Sequence, residues 1–285
     1  MEFTGMVLIT TAGKVGSAAA LVLAKRGVPV RVMARTPEKA RHLAEAGAEV
    51  VAGDLTVPAS IDAALRGISS VVLVSPAIPA QEIAVVDGAV RAGVAHIVKI
   101  TSDSAPDSPI ARRRGQAEIE NALIASGLGY TLLKNNAYMQ NFLMLAPAIA
   151  ATSSFAASAG EGRIGMIDAR DVGAVAAEIA TAPTDHAGKT YWPTGPATLS
   201  YTDAAAVLSK VLNRPITYRP QTIEWQRQAL IDAGLPAAVA ADNALALSLF
   251  AQGDADYITD DVPTIVGRPA RTFEQFVTDY AAAFS

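Results

Sequence analysis

The segment 6–27, MVLITTAGKVGSAAALVLAKRG, constrains the fold more than any other. It begins with a short apolar run at 6–10, of the kind that forms a strand in a sheet covered on both faces. A turn of small residues follows. A helix then opens between Gly13 and Gly16, with Val15, Ala19, Val22 and Leu23 on one side. Gly27 ends it, because the left-handed position after a helix favours glycine. A strand that feeds a helix through such a turn brings backbone N–H groups and a positive helix end to one point. That point is an anion site, suited to a pyrophosphate.

The strand after it, 28–33, ends in Ala34-Arg35-Thr36-Pro37. Dinucleotide folds that bind NAD use an acidic residue near this place for the ribose 2′-hydroxyl. Here Arg35 stands instead, and a guanidinium favours a 2′-phosphate. Thr36 and Pro37 open the next helix as N-cap and first-turn proline. A G-x-x-G-x-x-G turn would have its first glycine at position 10, where this chain has Thr10. A β-branched residue does not readily take positive φ. Thr10 is therefore expected in extended backbone, or in a turn of different shape. Gly13, Gly16, the strand–helix context and Arg35 together favour nucleotide binding over a turn that has lost its ligand.

Strands and helices keep alternating. A helix at 37–46 is closed by Gly47, and a strand at 49–52 leads into Gly53-Asp54-Leu55. A short helix at 58–66 is closed by Gly67, and a strand at 70–74 leads into Ser75-Pro76. A helix at 79–92 is closed by Gly93, and a strand at 96–100 leads into Thr101-Ser102. A helix at 111–126 and a strand at 130–133 follow. This is the pattern of an α/β fold, a Rossmann-type doubly wound parallel sheet. Ligands of such sheets bind beyond the carboxyl ends of the strands, which collects Thr10, Arg35, Asp54, Ser75, Pro76, Thr101 and Ser102 on one edge. From about residue 135 helices dominate, at 138–151, 169–182, 201–212, 223–233, 237–251 and 272–283, with short strands at 189–192 and 216–219. The organisation expected is a dinucleotide-binding domain over 1–150 with a return near 164–182. A smaller, mostly helical substrate lobe would occupy 183–285, with Trp192, Trp225 and Phe250 in its core.

Composition narrows the function classes. The 285 residues carry a net charge of −4, which argues against a nucleic-acid partner or an anionic membrane surface. There is no cysteine, so thiol catalysis, disulfides and cysteine metal sites are excluded. His42, His96 and His186 lack ligand-like spacing, and no metal site is expected. The start, MEFTG, has no basic segment of the kind a signal peptide carries, and no uncharged run is long enough to span a bilayer. A cytoplasmic location is the expectation.

Several segments in order carry a family resemblance: TTAGKVG at 10–16, Arg35 after the second strand, Gly53-Asp54-Leu55, KITS at 99–102, YTLLKN at 130–135 and IDARDV at 167–172. With these the chain resembles the NmrA-like branch of the atypical short-chain dehydrogenases. Within that branch it is similar to NADPH-dependent quinone, azo-dye and triphenylmethane reductases. The resemblance implies NADP(H) lying across the sheet edge. Gly13, Lys14 and Val15 would hold the pyrophosphate, and Arg35 would meet the 2′-phosphate. Asp54 and Leu55 would flank the adenine, and Ser75, Pro76, Thr101 and Asn135 would line the path to the nicotinamide. Thr10, Ala12 and Ser102 complete that set.

Short-chain dehydrogenases usually pair a tyrosine with a lysine one helical turn away, the lysine lowering the tyrosine pKa. Here the corresponding helix reads RRRGQAEIENAL, without tyrosine. Gln116 stands where relatives have Lys or His, and it cannot titrate. Its replacement by alanine is expected to leave turnover nearly unchanged. Tyr130 and Lys134 give a literal Y-x-x-x-K, but on a strand they would lie about 13 Å apart. The chemistry must then ask little of the side chains, as in hydride transfer from the cofactor to a quinoid or aromatic small molecule. Tyr138 and Gln116 are the catalytic candidates. Tyr138, Asn141 and Phe142 are the substrate-binding candidates, with Tyr138 and Phe142 either sharing a helix face or packing into the lobe. Arg112, Arg113 and Arg114 read as a solvated face, and Asp168 as the cap of the helix at 169. The alternative is a non-catalytic NADP(H)-binding sensor with a regulatory protein partner, and a homodimer suits either reading. A sugar-nucleotide epimerase would need the missing dyad.

Overall fold

The structure, a computed structural model, describes residues 3–285. In chain order its elements are β1 (Val7–Ile9), α1 (Lys14–Lys25), β2 (Val30–Ala34), a 3-10 turn (Pro37–Ala40), α2 (Arg41–Glu45), β3 (Glu49–Ala52), α3 (Pro58–Ala64), β4 (Ser70–Leu73), α4 (Pro79–Ala92), β5 (His96–Thr101), α5 (Ala111–Ala125) and β6 (Gly129–Lys134). There follow a 3-10 helix (Met139–Met144), α6 (Ala146–Thr152), β7 (Ser154–Ala157), α7 (Ala169–Thr181), α8 (Pro183–His186), β8 (Lys189–Tyr191), α9 (Tyr201–Leu212), β9 (Thr217–Pro220), α10 (Ile223–Asp232), α11 (Ala237–Phe250), α12 (Asp261–Val266), α13 (Phe273–Asp279) and a last 3-10 turn (Ala281–Ala283).

The chain forms two compact units. The first takes the chain up to Asn135, with Ala169–Trp192 and Asp261–Arg268. It holds a seven-stranded sheet in the order β3-β2-β1-β4-β5-β6-β8, every pairing parallel. Its strands are buried on both faces, as parallel strands between helices must be: β1, β4 and β5 have no exposed residue. Leu8, Met33, Val71, Leu73 and Ile97 pack with Ile61, Leu65, Val85 and Val86 of α3, α4 and the adjoining turn into one core. α7 packs against α1 through small residues. A Cβ on Gly173 would stand 2.6 Å from the Ala18 Cβ and 2.7 Å from the Ala19 nitrogen, so only glycine allows this approach.

The second unit comprises Asn136–Asp168, Pro193–Asp260 and Pro269–Ser285. Its core is aromatic. The Phe142 ring meets Phe155, Tyr201 and Phe273 at centroid distances of 5.6, 5.1 and 4.8 Å, within the range of favourable edge-to-face and tilted pairs. β7 and β9 form a two-stranded parallel sheet in this unit.

Several sequence expectations need correction. The first unit ends at Asn135 rather than 150, and its return begins at Ala169 and runs on through β8. The strand at 189–192 therefore belongs to the main sheet, beside β6, and not to the smaller lobe. Trp192 lies in the first unit with it, Trp225 is 42% exposed, and Phe250 is only partly buried. The core of the second unit is built from other aromatics. The expected helix at 138–151 is a 3-10 segment followed by α6. Among the described residues no helix is long and apolar enough to cross a membrane.

A buried histidine sits at the start of β5. His96 is 2% exposed, and its Nε2 donates to the Thr131 hydroxyl at 2.9 Å, which itself donates to the His186 carbonyl. Burial, aided by the charge of His186, holds the imidazole pKa down at about 4. The folded state thus favours neutral imidazole, and between pH 6.5 and 4 the unfolded chain binds the extra proton. Stability present above pH 6.5 is lost as pH falls, by as much as about 3 kcal/mol at pH 4. Urea midpoints at pH 7 and 4.5 should fall less in His96→Gln than in the native chain; equal falls would remove His96 as a cause.

Candidate functional site

Sheet order reverses between β1 and β4. β2 and β3 lie on one side of β1, while β4, β5, β6 and β8 lie on the other. The loops leaving β1 and β4 therefore diverge and leave a crevice at their carboxyl ends, the switch point at which open α/β sheets bind ligands. Because all strands are parallel, the segments following β1 to β6 share that edge. Thr10, Arg35, Asp54, Ser75, Thr101 and Asn135 are on it together, as the sequence indicated.

Thr10 explains how the turn manages without its first glycine. It is absent from the positive-φ residues and is 2% exposed. Its hydroxyl donates to the Val74 carbonyl at 2.8 Å and accepts from the Val74 N–H at 2.9 Å. Thr11 donates to the same carbonyl at 3.0 Å. The two threonines clamp the end of β1 onto the chain leaving β4, where glycine would have relied on backbone bending. Ala12 contributes its carbonyl, which accepts from Ser17 Oγ at 3.0 Å.

α1 opens at Gly13, and the first turn of a helix carries N–H groups without an intrahelical acceptor. The two glycines here do different work. A Cβ on Gly16 would stand 2.0 Å from the Thr11 carbonyl oxygen, so the fold itself requires glycine there. A Cβ on Gly13 would meet nothing nearer than Thr11 Oγ1 at 3.7 Å. A side chain at 13 would make only ordinary contact, so packing does not demand glycine there, and its absence leaves the helix end approachable by an anion. Burial lowers the pKa of Lys14 in the same turn, and Val15 is buried beneath it. Gly16→Ala is expected to displace the β1–α1 loop and to weaken dinucleotide binding at least tenfold, read by titration. Unchanged affinity would show that the loop can shift without cost.

Arg35 is exposed after β2, and among the described residues no side chain hydrogen-bonds to its guanidinium. Its charge reaches Asp54, whose carboxylate accepts the Thr56 N–H and hydroxyl, both at 2.8 Å. Those bonds, the backbone one first, hold the Asp54 pKa below the usual carboxylate range. Asp54 is thus committed to its own turn, and Leu55 is 8% exposed within the sheet core.

Beyond β4 and β5 lies a buried network that sequence reasoning did not assign. Lys99 and Glu82 are both fully buried, with Nζ 2.6 Å from Oε2. Lys99 also donates to the Ile100 carbonyl at 2.7 Å. Glu82 Oε1 accepts from the Ser75 hydroxyl at 2.6 Å, and Ser75 Oγ accepts the Ala77 N–H. Ala77 holds φ +61°, a left-handed conformation unusual without glycine. Next to it, Glu120 accepts from Thr101 Oγ1 and Ser104 Oγ, each at 2.7 Å. Lys134 Nζ lies 3.2 Å from Glu120 and 5.3 Å from the Trp192 ring centre. Asn135 donates its Nδ2 to the Thr101 carbonyl at 3.0 Å, while Ser102 turns its hydroxyl toward the Asp103 carbonyl at 3.3 Å. A lysine inside HIVKIT, a strand otherwise apolar or uncharged, was the one visible signal: such a cation needs a carboxylate.

The catalytic and substrate candidates separate. Tyr130 and Lys134 are both on β6, so they form no dyad, and Lys134 is engaged with Glu120. Gln116 is 5% exposed on α5, so its replacement by alanine would leave a cavity as well as remove the amide. Tyr138, Asn141 and Phe142 belong to the second unit. Tyr138 is half-buried and bridges to Ile167, and Asn141 is exposed. Phe142 is 1% exposed in the aromatic core, which is the packing alternative given for it, and the 3-10 geometry of its segment does not set it on an α-helical face with Tyr138. Asp168 accepts from Gln140 Nε2 at 2.8 Å. Among the described residues no cluster could hold a metal ion.

The sequence matches the NmrA-like family over residues 4–277. It is 37% identical to an NAD(P)H azoreductase of Xenophilus azovorans, over 98% of this chain and 99% of that one. It is 35% identical to a (4-alkanoyl-5-oxo-2,5-dihydrofuran-3-yl)methyl phosphate reductase of Streptomyces griseus, again over 98% and 99%. Among solved structures, an NADPH-dependent quinone oxidoreductase of Escherichia coli complexed with NADPH superimposes with a TM-score of 0.86. The two are 29% identical over 97% of this chain and all of that one.

Proposed function

For a chain that belongs to the NmrA-like family, we propose an NADPH-dependent oxidoreductase that transfers hydride to a small quinoid or aromatic acceptor. The observation that carries this is the crevice at the β1–β4 reversal, with the start of α1 at Gly13 on it and the exposed Arg35 guanidinium one strand away. The donor set suits the cofactor: helix N–H groups for a pyrophosphate, a guanidinium for a 2′-phosphate. Gly13, Lys14 and Val15 hold the first, and Arg35 the second. Ser75, Pro76, Thr101 and Asn135 border the nicotinamide, fixed by Glu82 and Glu120 beneath them. The bound cofactor supplies the hydride. The protein positions it and excludes bulk water, and a proton from solvent completes the reduction.

The acceptor class has its own support. An azo compound, an acylated oxo-dihydrofuran and a quinone, named for the three relatives, have in common a conjugated electron-poor π-bond. Reducing such a bond needs little acid catalysis, which agrees with a helix that offers glutamine rather than a titrating residue. The cytoplasm, where reduced nicotinamide cofactors are regenerated, is the compartment this reaction requires.

The second reading, an NADP(H)-binding sensor acting on a partner protein, is favoured by that same absence of a dyad. An assay of NADPH oxidation across quinones, azo dyes and triphenylmethane dyes separates the two. Turnover with at least one acceptor is expected; tight NADPH binding without any turnover would establish the sensor instead.

A further inference from the structure

Gln116 is a buried polar side chain that the protein leaves unsatisfied. It is 5% exposed, and among the described residues its Oε1 has no hydrogen-bond partner. A buried amide oxygen without a partner is costly and uncommon, so such a group calls for an explanation. Its place on α5 supplies one. Glu120, one turn later on the same helix face, is fastened to Thr101 and Ser104 beyond the end of β5. Gly115, one residue earlier, lies against the loop beyond β4, where a Cβ would come within 3.3 Å of the Pro79 ring and 3.5 Å of the Ala77 carbonyl. α5 follows β5 and leads back to the start of β6, so Gln116 lies on the outward side of Glu120. Gln116 is thus nearer than Glu120 to the carboxyl ends of the strands, on the turn of α5 that packs on the loop after β4.

We infer that Gln116 is a specificity-determining residue whose amide pairs with a group on the bound ligand. A primary amide presents one acceptor oxygen beside two donors on nitrogen. Its complement is a planar group with an N–H or O–H donor next to a carbonyl or imine-type acceptor. In the oxidoreductase reading, on which this inference rests, two ligands carry that group. One is the carboxamide of the nicotinamide, and the other is an acceptor with an amino group beside its carbonyl or a phenolic hydroxyl ortho to its azo nitrogen. Gln116 thus replaces proton transfer by recognition at the position where a titrating group would work.

Gln116→Leu removes the amide at nearly constant volume. The ligand-free variant should melt about 2–4 °C higher, because an unpaired buried amide has been replaced by an apolar group. Recognition should weaken about tenfold. If the acceptor is the ligand read, KM rises for 2-amino-1,4-naphthoquinone, whose N–H stands beside its carbonyl and stays neutral, and remains within twofold for the unsubstituted quinone, with kcat little changed. If the cofactor is the ligand read, the Kd for NADPH rises and the ratio between the quinones does not move. Either result supports the role and names its source. Unchanged Kd and unchanged quinone ratio overturn it, whatever the melting temperature does. Gln116→Met, equally long and without an amide, repeats the test should leucine misfold. Failure of the wild type to oxidise NADPH would defeat the oxidoreductase reading separately. Titrations of the wild type and the variants with NADPH and with the two quinones, which need no turnover, would still decide on Gln116.

Discussion

Lys99→Met is expected to destabilise the protein by about 3–5 kcal/mol, since it leaves the Glu82 carboxylate buried and uncompensated. Both partners are fully buried, and Nζ lies 2.6 Å from Oε2, so no solvent relieves the loss. The pair gains little net stability relative to an apolar substitute, because desolvating two charges opposes their attraction. Burial alone pulls the Lys99 pKa down, and Glu82 with Glu120 works against that pull. Lys99→Met combined with Glu82→Gln should therefore recover most of the loss. The amide oxygen of the new glutamine can still accept from Ser75, as the carboxylate does now, and no charge is stranded. The measurement is urea unfolding of the two single variants and the double variant, compared as a cycle. A cost below about 1 kcal/mol for Lys99→Met would mean that water or a neighbour already serves Glu82. The network has a second consequence. Glu82 holds Ser75, and Ser75 holds the left-handed Ala77, so the single variant should also loosen the β4–α4 turn on the ligand edge.

The first half of the fold was legible because its signals are local. Glycines at 27, 47, 67, 93 and 127 all take positive φ between 69° and 102°, where their turns require it. They mark where each helix stops and the next strand begins, and the apolar run from each of those points gives the strand's carboxyl end, which defines the ligand edge. What was hidden depends on pairing across long stretches of sequence. β8 is three residues, KTY, mostly exposed, and nothing within it says that it joins β6 rather than the smaller unit. Phe142 looked like a substrate contact because four-residue spacing suits an α-helix. A 3-10 segment turns differently and sends that ring into the core.

The site was legible at its nucleotide end and obscure at its chemical end, for the same reason. Gly13 and Arg35 work through local backbone and an exposed charge. Glu82 lies 17 residues from Lys99 and Glu120 lies 19 from Thr101, and their burial follows only from tertiary packing. Gln116 shows the limit best. Its identity revealed that it cannot titrate, but only the structure shows that it is buried with its amide oxygen unpaired.

Arg35→Asp is expected to weaken NADPH by roughly one to two decades and to bring NADH level with it or ahead. A charge-assisted contact to a phosphate at an exposed site is worth about 1.5–3 kcal/mol, and each 1.4 kcal/mol is about a decade. The exposed guanidinium can present two parallel donors to the phosphate. Asp54 is close enough to feel its charge, yet its carboxylate is bound to Thr56 and does not compete for the guanidinium. In the variant a carboxylate at 35 repels a 2′-phosphate, and Asp54 beside it adds to the repulsion, while a 2′-hydroxyl can donate to it. The wild-type preference should also shrink as salt rises, because the contact is exposed to screening. The measurement is a titration of both proteins with both cofactors at two ionic strengths. Equal affinities in the wild type would remove Arg35 from the 2′-phosphate site. Binding of neither cofactor would mean that the Thr10 clamp has closed the crevice to dinucleotides.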